Sequence, residues 1–175
     1  MKEHKGMRPQ DIVVLLKLII DSEQDLRIKN LSSKLFISSS EISESLNRSA
    51  IAKLIDPLNR TVNKEAFLLF LEHGFPYVFP AKLGSLTKGH FTAHSESSLY
   101  LSFSSEEKLV WPDLQGKEKG SSIQPLYPNI TKAILTDRLL YKLLALCDII
   151  RIGNTADKSK AVWQIREIFY SRGSV

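Results

Sequence analysis

Residues 31–55, LSSKLFISSSEISESLNRSAIAKLI, place leucine and isoleucine where two short helices joined by a tight turn would bury them. Leu31 and Leu35 repeat at i and i+4, Ile37 falls in the turn, and Ile42 and Leu46 repeat at i and i+4 again. Residues four apart share a helix face, so one apolar stripe crosses both helices. This is the spacing of a helix-turn-helix. Ser38 or Ser39 can cap the second helix, because a seryl oxygen accepts a backbone N–H of the first turn, and Glu41 or Glu44 supplies the matching carboxylate of a capping box. Any three-helix core shows the same stripe, so a function has to be read from the residues that point away from it.

The flanking segments extend the helical pattern and then break it. Pro9 fits a first helical turn, and Ile12, Leu15, Leu16 and Ile19 recur on one face, predicting a helix over residues 9–21. A second helix is expected over 28–36 and a third to about residue 54, ending before Pro57. Asn63 caps a fourth, with Ala66, Phe67, Phe70 and Leu71 as its stripe and Gly74 at its end. Pro76, Pro80, Pro112 and Pro125, with serines and glycines between them, mark residues 75–128 as strand-and-loop material. Short strands are expected at 99–103 and 108–111, with the glycine-bounded 116–122 as a hairpin tip and 123–127 as its return strand. The alternating rings of GFPYVFP also suggest a strand. After Pro128, Asn129 caps a helix with Ala133, Leu140, Leu143, Leu144, Cys147 and Ile150 inward. Gly153 ends it, and Thr155 caps a last helix with Val162, Ile165 and Phe169 on its apolar edge. The fold expected is mainly α with a small β component: a winged helix-turn-helix domain at 1–74, a strand-containing segment at 75–128 that holds the wing, and a C-terminal helical pair at 129–175.

Charge and composition narrow the setting. The longest apolar run, residues 12–20, is interrupted by Lys17 and falls far short of the roughly 20 residues that span a bilayer. The basic N-terminus lacks a small-residue cleavage site, so a cytoplasmic protein without a membrane partner is expected. Cys147, the only cysteine, excludes a disulfide framework and reads as a buried structural thiol. The net charge of +5 is unevenly placed: residues 129–175 carry eight Lys or Arg against four Asp or Glu, whereas residues 61–128 carry six against seven. Such asymmetry favours an anionic partner.

A recognition helix presents its outward side chains to base edges in the major groove while basic and backbone groups hold phosphates. The outward positions are Ser38, Ser39, Ser40, Ser43, Glu44, Asn47 and Arg48. Serine and asparagine can read base edges and Arg48 can pair a guanine or a phosphate, whereas Glu44 is unfavourable beside phosphates unless it accepts from cytosine, and the helix carries little positive charge. Lys117 and Lys119, on the expected hairpin tip, would steady a wing on the backbone. Residues 31–55 resemble the two-helix core of bacterial winged-helix transcriptional regulators of the MarR-like kind, with Ser32 in the usual small position and Leu54-Ile55 closing the recognition helix. Phe36 departs from that pattern, since a glycine commonly makes the turn there, and so does the helix expected from Asn63 where a wing usually follows. GHFTAHS at residues 89–95 and LLYKLLALCDIIRIG at 139–153 resemble segments of a regulator group associated with genes for nucleotidyltransferase-type toxins. That likeness implies an antitoxin or autoregulator role.

No catalytic constellation is found. His90 and His94 would need a third ligand such as His73 to hold a metal and read as ordinary surface histidines. Glu106 and Glu107 are adjacent and point apart. Neither a phosphate-binding glycine loop nor a serine-hydrolase elbow occurs. The function expected is sequence-specific binding of double-stranded DNA in transcriptional regulation, without cofactor or metal, by a protein that is not an enzyme. A homodimer is expected, because the apolar face over residues 131–151 exceeds what one partner helix covers and a symmetric dimer aligns two recognition helices. The alternative is an interaction module that holds and neutralises a partner protein.

Overall fold

The computed structural model describes residues 6–22, 27–99, 103 and 105–171. It is mainly helical with one small three-stranded sheet, and it divides into two compact units. The first takes the chain up to Phe67 together with Leu126–Leu140, and the second takes Leu68–Pro125 with Tyr141–Val175.

The first unit contains α1 (Pro9–Ile20), α2 (Ile28–Leu35) and α3 (Ser39–Ile51). It also holds the start of α4 (Lys64–His73), the short α6 (Ile130–Ile134) and the opening of α7 (Arg138–Ile152). Every residue of α1 from Asp11 to Ile20 is buried, not one face of it. A helix that is apolar nearly all round belongs in an interior, and the two charged residues within it, Asp11 and Lys17, are paired. Lys17 Nζ donates to Asp21 at 3.0 Å and to Asp137 at 2.6 Å, and Lys34 joins the same cluster through Asp21 at 2.8 Å. The expected stripe is borne out on α2 and α3: Leu31, Leu35, Ile37, Ile42 and Leu46 are all buried.

Phe36 ends α2 in the left-handed region at φ 54°, where glycine is the usual residue, and its carbonyl accepts from the Asn129 side chain at 2.9 Å. Asn129 therefore precedes α6 but spends its amide on Phe36 instead of capping. The single helix expected from Asn129 to Ile150 is broken at residues 135–137, and Asp137 caps α7 by accepting from the Leu140 N–H at 2.9 Å. Asn63 caps α4 as expected, through the Ala66 N–H at 3.1 Å.

The second unit contains α5 (Phe75–Val78), β1 (Leu83–Phe91), β2 (Leu109–Pro112), β3 (Glu118–Ile123), most of α7, and α8 (Thr155–Ser171). The GFPYVFP segment forms the helical turn α5 instead of a strand. Of the strand expected at 99–103, Leu99 and Phe103 lie outside any strand, and residues 100–102 are outside the described residues. β1 pairs antiparallel with both β2 and β3, and β2 and β3 pair parallel, which closes the sheet on itself. Closure at so small a radius needs backbones in contact. A Cβ on Gly89 would lie 1.9 Å from the Trp111 carbonyl oxygen, one on Gly116 2.3 Å from that of Gly89, and one on Gly120 2.4 Å from that of Lys108.

α7 supplies the side-chain interior of this unit. Its residues Leu143 to Ile150 are all buried, so the apolar surplus that suggested a dimer surface over 131–151 is largely covered within the chain. Asp148, set in that run, accepts from Thr92 Oγ1 at 2.8 Å, Trp111 Nε1 at 2.7 Å and Arg151 Nη1 at 2.8 Å. Burial pushes its carboxyl above the usual carboxylate range, against Arg151, Thr92 and Trp111, which favour the charged form. α8 is capped by Asn154, one residue earlier than expected, through the Asp157 N–H at 2.9 Å. No helix among the described residues is long and apolar enough to cross a membrane.

Candidate nucleic-acid interface

α3 is the element whose outer surface was singled out by sequence. Ser38 caps it, accepting from the Glu41 N–H at 3.2 Å, so its hydroxyl is committed to the helix start. Ser39, Ser40, Ser43 and Asn47 are exposed and Glu44 is half-buried. These residues share a surface because Ile42, Ser45, Leu46 and Ser49 take the inner positions. The outer face of α3 is therefore a row of short hydrogen-bonding side chains with one carboxylate, Glu44, between Ser40 and Asn47.

Arg48 does not belong to that row. It is 6 % exposed and makes a forked pair with Asp11, Nε to Oδ2 at 2.8 Å and Nη2 to Oδ1 at 2.7 Å. The hydrogen bonds to Asp11, reinforced by the charges of Asp11, Glu41 and Glu44, hold the guanidinium above its ordinary pKa although burial opposes this. Asp11 Oδ2 also accepts from the Arg8 N–H at 2.7 Å, so one carboxylate fixes the start of α1 and clamps α3 onto it. Placing Arg48 outward failed because position 48 lies one turn from Ser45 and beside Ser49, both on the buried side. The signal was the acid in the first turn of an otherwise apolar helix, which needs a cationic partner once buried. Of the two carboxylates on α3, Glu41 is bound by Gln10 Nε2 at 2.6 Å and by Arg8 at 3.3 Å, which offsets its charge at the start of the helix.

Beyond α3 the chain makes a compact turn-back that sequence reasoning missed. α3 stops at Ile51, earlier than expected, because Lys53 adopts φ 59° and the Leu54 N–H returns to the Ser49 carbonyl at 2.9 Å. Ile55 and Val62 then form an antiparallel bridge. Asp56 closes the tip by accepting from the N–H groups of Leu58 at 2.8 Å and Asn59 at 3.0 Å, and Asn59 accepts from Thr61 at 2.8 Å. Arg60 is the second residue here with a left-handed backbone, also at φ 59°. Each such position costs a non-glycine residue about 1 kcal/mol or more. Both are occupied by basic side chains, Lys53 exposed and Arg60 half-buried. The Asp56-Pro57 and Asn59 residues between Leu54-Ile55 and Val62 were the available sign of this hairpin.

Lys117 and Lys119 belong to the other unit. Lys119 lies within β3, opposite Lys88 of β1, and Lys117 immediately precedes the strand. Since β2 and β3 run parallel, the segment between them is not a hairpin tip, and its glycines serve backbone contact instead of loop freedom. His90 lies 3.3 Å from Asp113, and His94 is bound to the Glu107 carbonyl. No cluster of metal-binding side chains occurs among the described residues. Cys147 is fully buried, and burial pushes its thiol up, well beyond the range of a reactive group. Comparison with known proteins found no matching family model, curated protein or solved structure.

Proposed function

We propose that the chain is a sequence-specific, duplex-DNA-binding transcriptional regulator of the winged helix-turn-helix kind, with α3 as the reading helix and the hairpin around Asp56–Arg60 as a short wing. The observation that carries this reading is the pairing of two features in one unit. α3 has an exposed polar face of Ser39, Ser40, Ser43 and Asn47 with the half-buried Glu44 among them, and directly after it stands a side-chain-locked hairpin bearing Lys53 and Arg60. The division of labour follows from chemistry. Asparagine can address adenine with two hydrogen bonds, while lysine and arginine at a rigid turn hold phosphates without reading sequence. The serine-capped start of α3 adds backbone N–H groups suited to an anion.

Selection from a randomised duplex pool tests this. A recovered consensus site, lost when Asn47 and Ser43 are changed to alanine, is the expected result, with about 1–3 kcal/mol of specific affinity lost for each base contact. Absence of duplex binding even at low salt would overturn it.

A second reading, a module that holds a protein partner, draws on apolar side chains exposed in the same unit: Phe36 at 46 %, Ile51 at 52 % and Leu58 at 93 %. That reading requires tight binding to a partner protein with no affinity for duplex, and Leu58→Ser would weaken it.

A further inference from the structure

The second unit holds a cavity of about 350 Å³ where the end of α7, the start of α8 and the segment leading into β2 come together. That volume is in the range small ligands occupy. Leu83, Leu109, Ile149 and Ile152 give it an apolar lining, with the Phe103 ring among them. Its polar lining is one-sided. Glu107 and Asp157 are carboxylates, which only accept hydrogen bonds. His94 Nε2 is hydrogen-bonded to the Glu107 carbonyl oxygen. A carbonyl cannot donate, so Nε2 carries the hydrogen, and Nδ1 of the neutral ring is a further acceptor. Ala93 holds a left-handed backbone, φ 50°, directly before His94, a conformation that a non-glycine residue keeps only when its surroundings impose it. Of the lining side chains that donate, Ser105 and Asn154, the Asn154 amide is spent on Asp157 at 3.1 Å. Among the described residues no lysine or arginine lines the cavity. Two neighbouring bases are committed elsewhere: Lys108 lies over the Phe91 ring, and Arg151 binds Asp148 and the carbonyls of Phe79 and Gln124.

One cation of the chain already uses a corner of this site. Lys160, one turn beyond Asp157 on α8, brings its ammonium 3.7 Å from Asp157 Oδ1 and 6.0 Å from the centre of the Phe103 ring. A carboxylate and a ring face are partners that together attract an ammonium. Lys160 is outside the lining and its side chain is 42 % exposed, so it reaches the corner from the rim.

We propose that the cavity binds a small organic cation, an ammonium on a compact apolar body, whose charge takes over the corner between Asp157 and Phe103 while its body lies on Leu109, Ile149 and Ile152. An ammonium brings only donors to a wall of acceptors. An anion would face two carboxylates, and a neutral alcohol has a single donor to offer. Lys160 is then a tethered competitor, which leaves for solvent when the ligand enters. The site lies wholly in the second unit, and the inference does not depend on the duplex reading.

The probe is cyclohexylammonium chloride, titrated into the isotope-labelled full chain at constant ionic strength and followed by amide chemical shifts. Saturable shifts centred on the lining residues are expected, with a dissociation constant of about 1 mM, in keeping with so small a ligand. Cyclohexanol, of the same shape but uncharged, should bind about tenfold more weakly or less. Glu107→Gln and Asp157→Asn should each weaken the ammonium by about threefold to tenfold, and Lys160→Met should tighten it by about threefold because the competitor is gone. Asp157 also supports the start of α8, so its variant is read beside a thermal melt; Glu107 and Lys160 lie at the surface and carry the test if that variant melts early. Shifts that do not saturate by about 20 mM, equal binding of cyclohexanol, or an affinity indifferent to both Glu107→Gln and Lys160→Met would each overturn the proposal.

Discussion

The two units bury charge and backbone by different means. In the first, helices are joined by ion pairs between side chains distant in sequence: Asp11 with Arg48, and Lys17 with Asp137. In the second, strands close on one another through glycine, and the buried acid Asp148 is held by an arginine one turn away plus donors from Thr92 and Trp111. Helix packing tolerates long side chains at the contact and so can recruit a salt bridge as a lock. A three-stranded closed sheet has no room for one, and removes side chains where backbones must touch.

The largest effect should come from breaking the lock in the first unit. Replacing Arg48 by alanine leaves Asp11 buried and uncompensated, which costs about 3–5 kcal/mol in a denaturant melt. Asp11→Leu combined with Arg48→Met should recover most of that loss. A mild effect of Arg48→Ala on stability, accompanied by a large one on duplex binding, would put the side chain back on the reading face.

In the second unit the corresponding change is Gly89→Ala. The added methyl would meet the Trp111 carbonyl oxygen at 1.9 Å, and since the obstacle is backbone, a loss of about 3 kcal/mol or more is expected, beyond ordinary overpacking. A variant as stable as the wild type would mean that the strands are not in this contact.

Asp148→Asn should cost about 2 kcal/mol, because Oδ2 accepts from Thr92 and Trp111 and Oδ1 from Arg151, and the amide nitrogen of asparagine must face one of these donors in place of an oxygen. Its pH dependence has a definite sign. The native carboxyl lies above its unfolded value of about 3.9, so its contribution is complete below that pH and is lost as pH rises through the native value. Melts at a series of pH values should show the gap between wild type and variant narrowing as pH rises. A gap that widens instead would reverse the assigned direction.

The smallest effect is a gain. Lys53→Gly relieves a left-handed backbone and should add about 0.5–1 kcal/mol after the flexibility of glycine in the unfolded chain is subtracted. A loss of stability would show that the Lys53 side chain packs instead of projecting.

The same contrast explains what could be read from sequence. The α2–α3 pair was legible because Leu31, Leu35, Ile42 and Leu46 obey one period, and Phe36 was noticed at the turn because a glycine was expected there. The closed sheet was not legible. β1 has little apolar alternation, since most of its residues from Leu83 to Lys88 are exposed, and the glycines that make closure possible look the same in sequence as glycines of a loose loop. The Asp148 network was visible only as a lone acid among leucines and isoleucines, three residues before Arg151. Of the face proposed to read DNA, the serines and Asn47 were found from periodicity. Arg48 was misplaced because its partner Asp11 lies 37 residues away, and no local pattern joins them. Lys53 and Arg60 were missed because, without glycine, nothing marks them as left-handed, and Pro57 was read only as the stop after the third helix.

The central claim is that duplex binding belongs to the first unit, with α3 reading and the adjacent hairpin holding the backbone. Its most direct test is a salt titration of duplex affinity for the wild type, for Lys53→Gln with Arg60→Gln, and for Lys117→Gln with Lys119→Gln from the closed sheet. Two phosphate contacts release about 1.8 counterions, so the hairpin variant should flatten the slope of log affinity against log salt by about that amount, while the sheet variant leaves it unchanged. A slope that changes only in the sheet variant, or a wild type that does not bind duplex at low salt, would contradict the account.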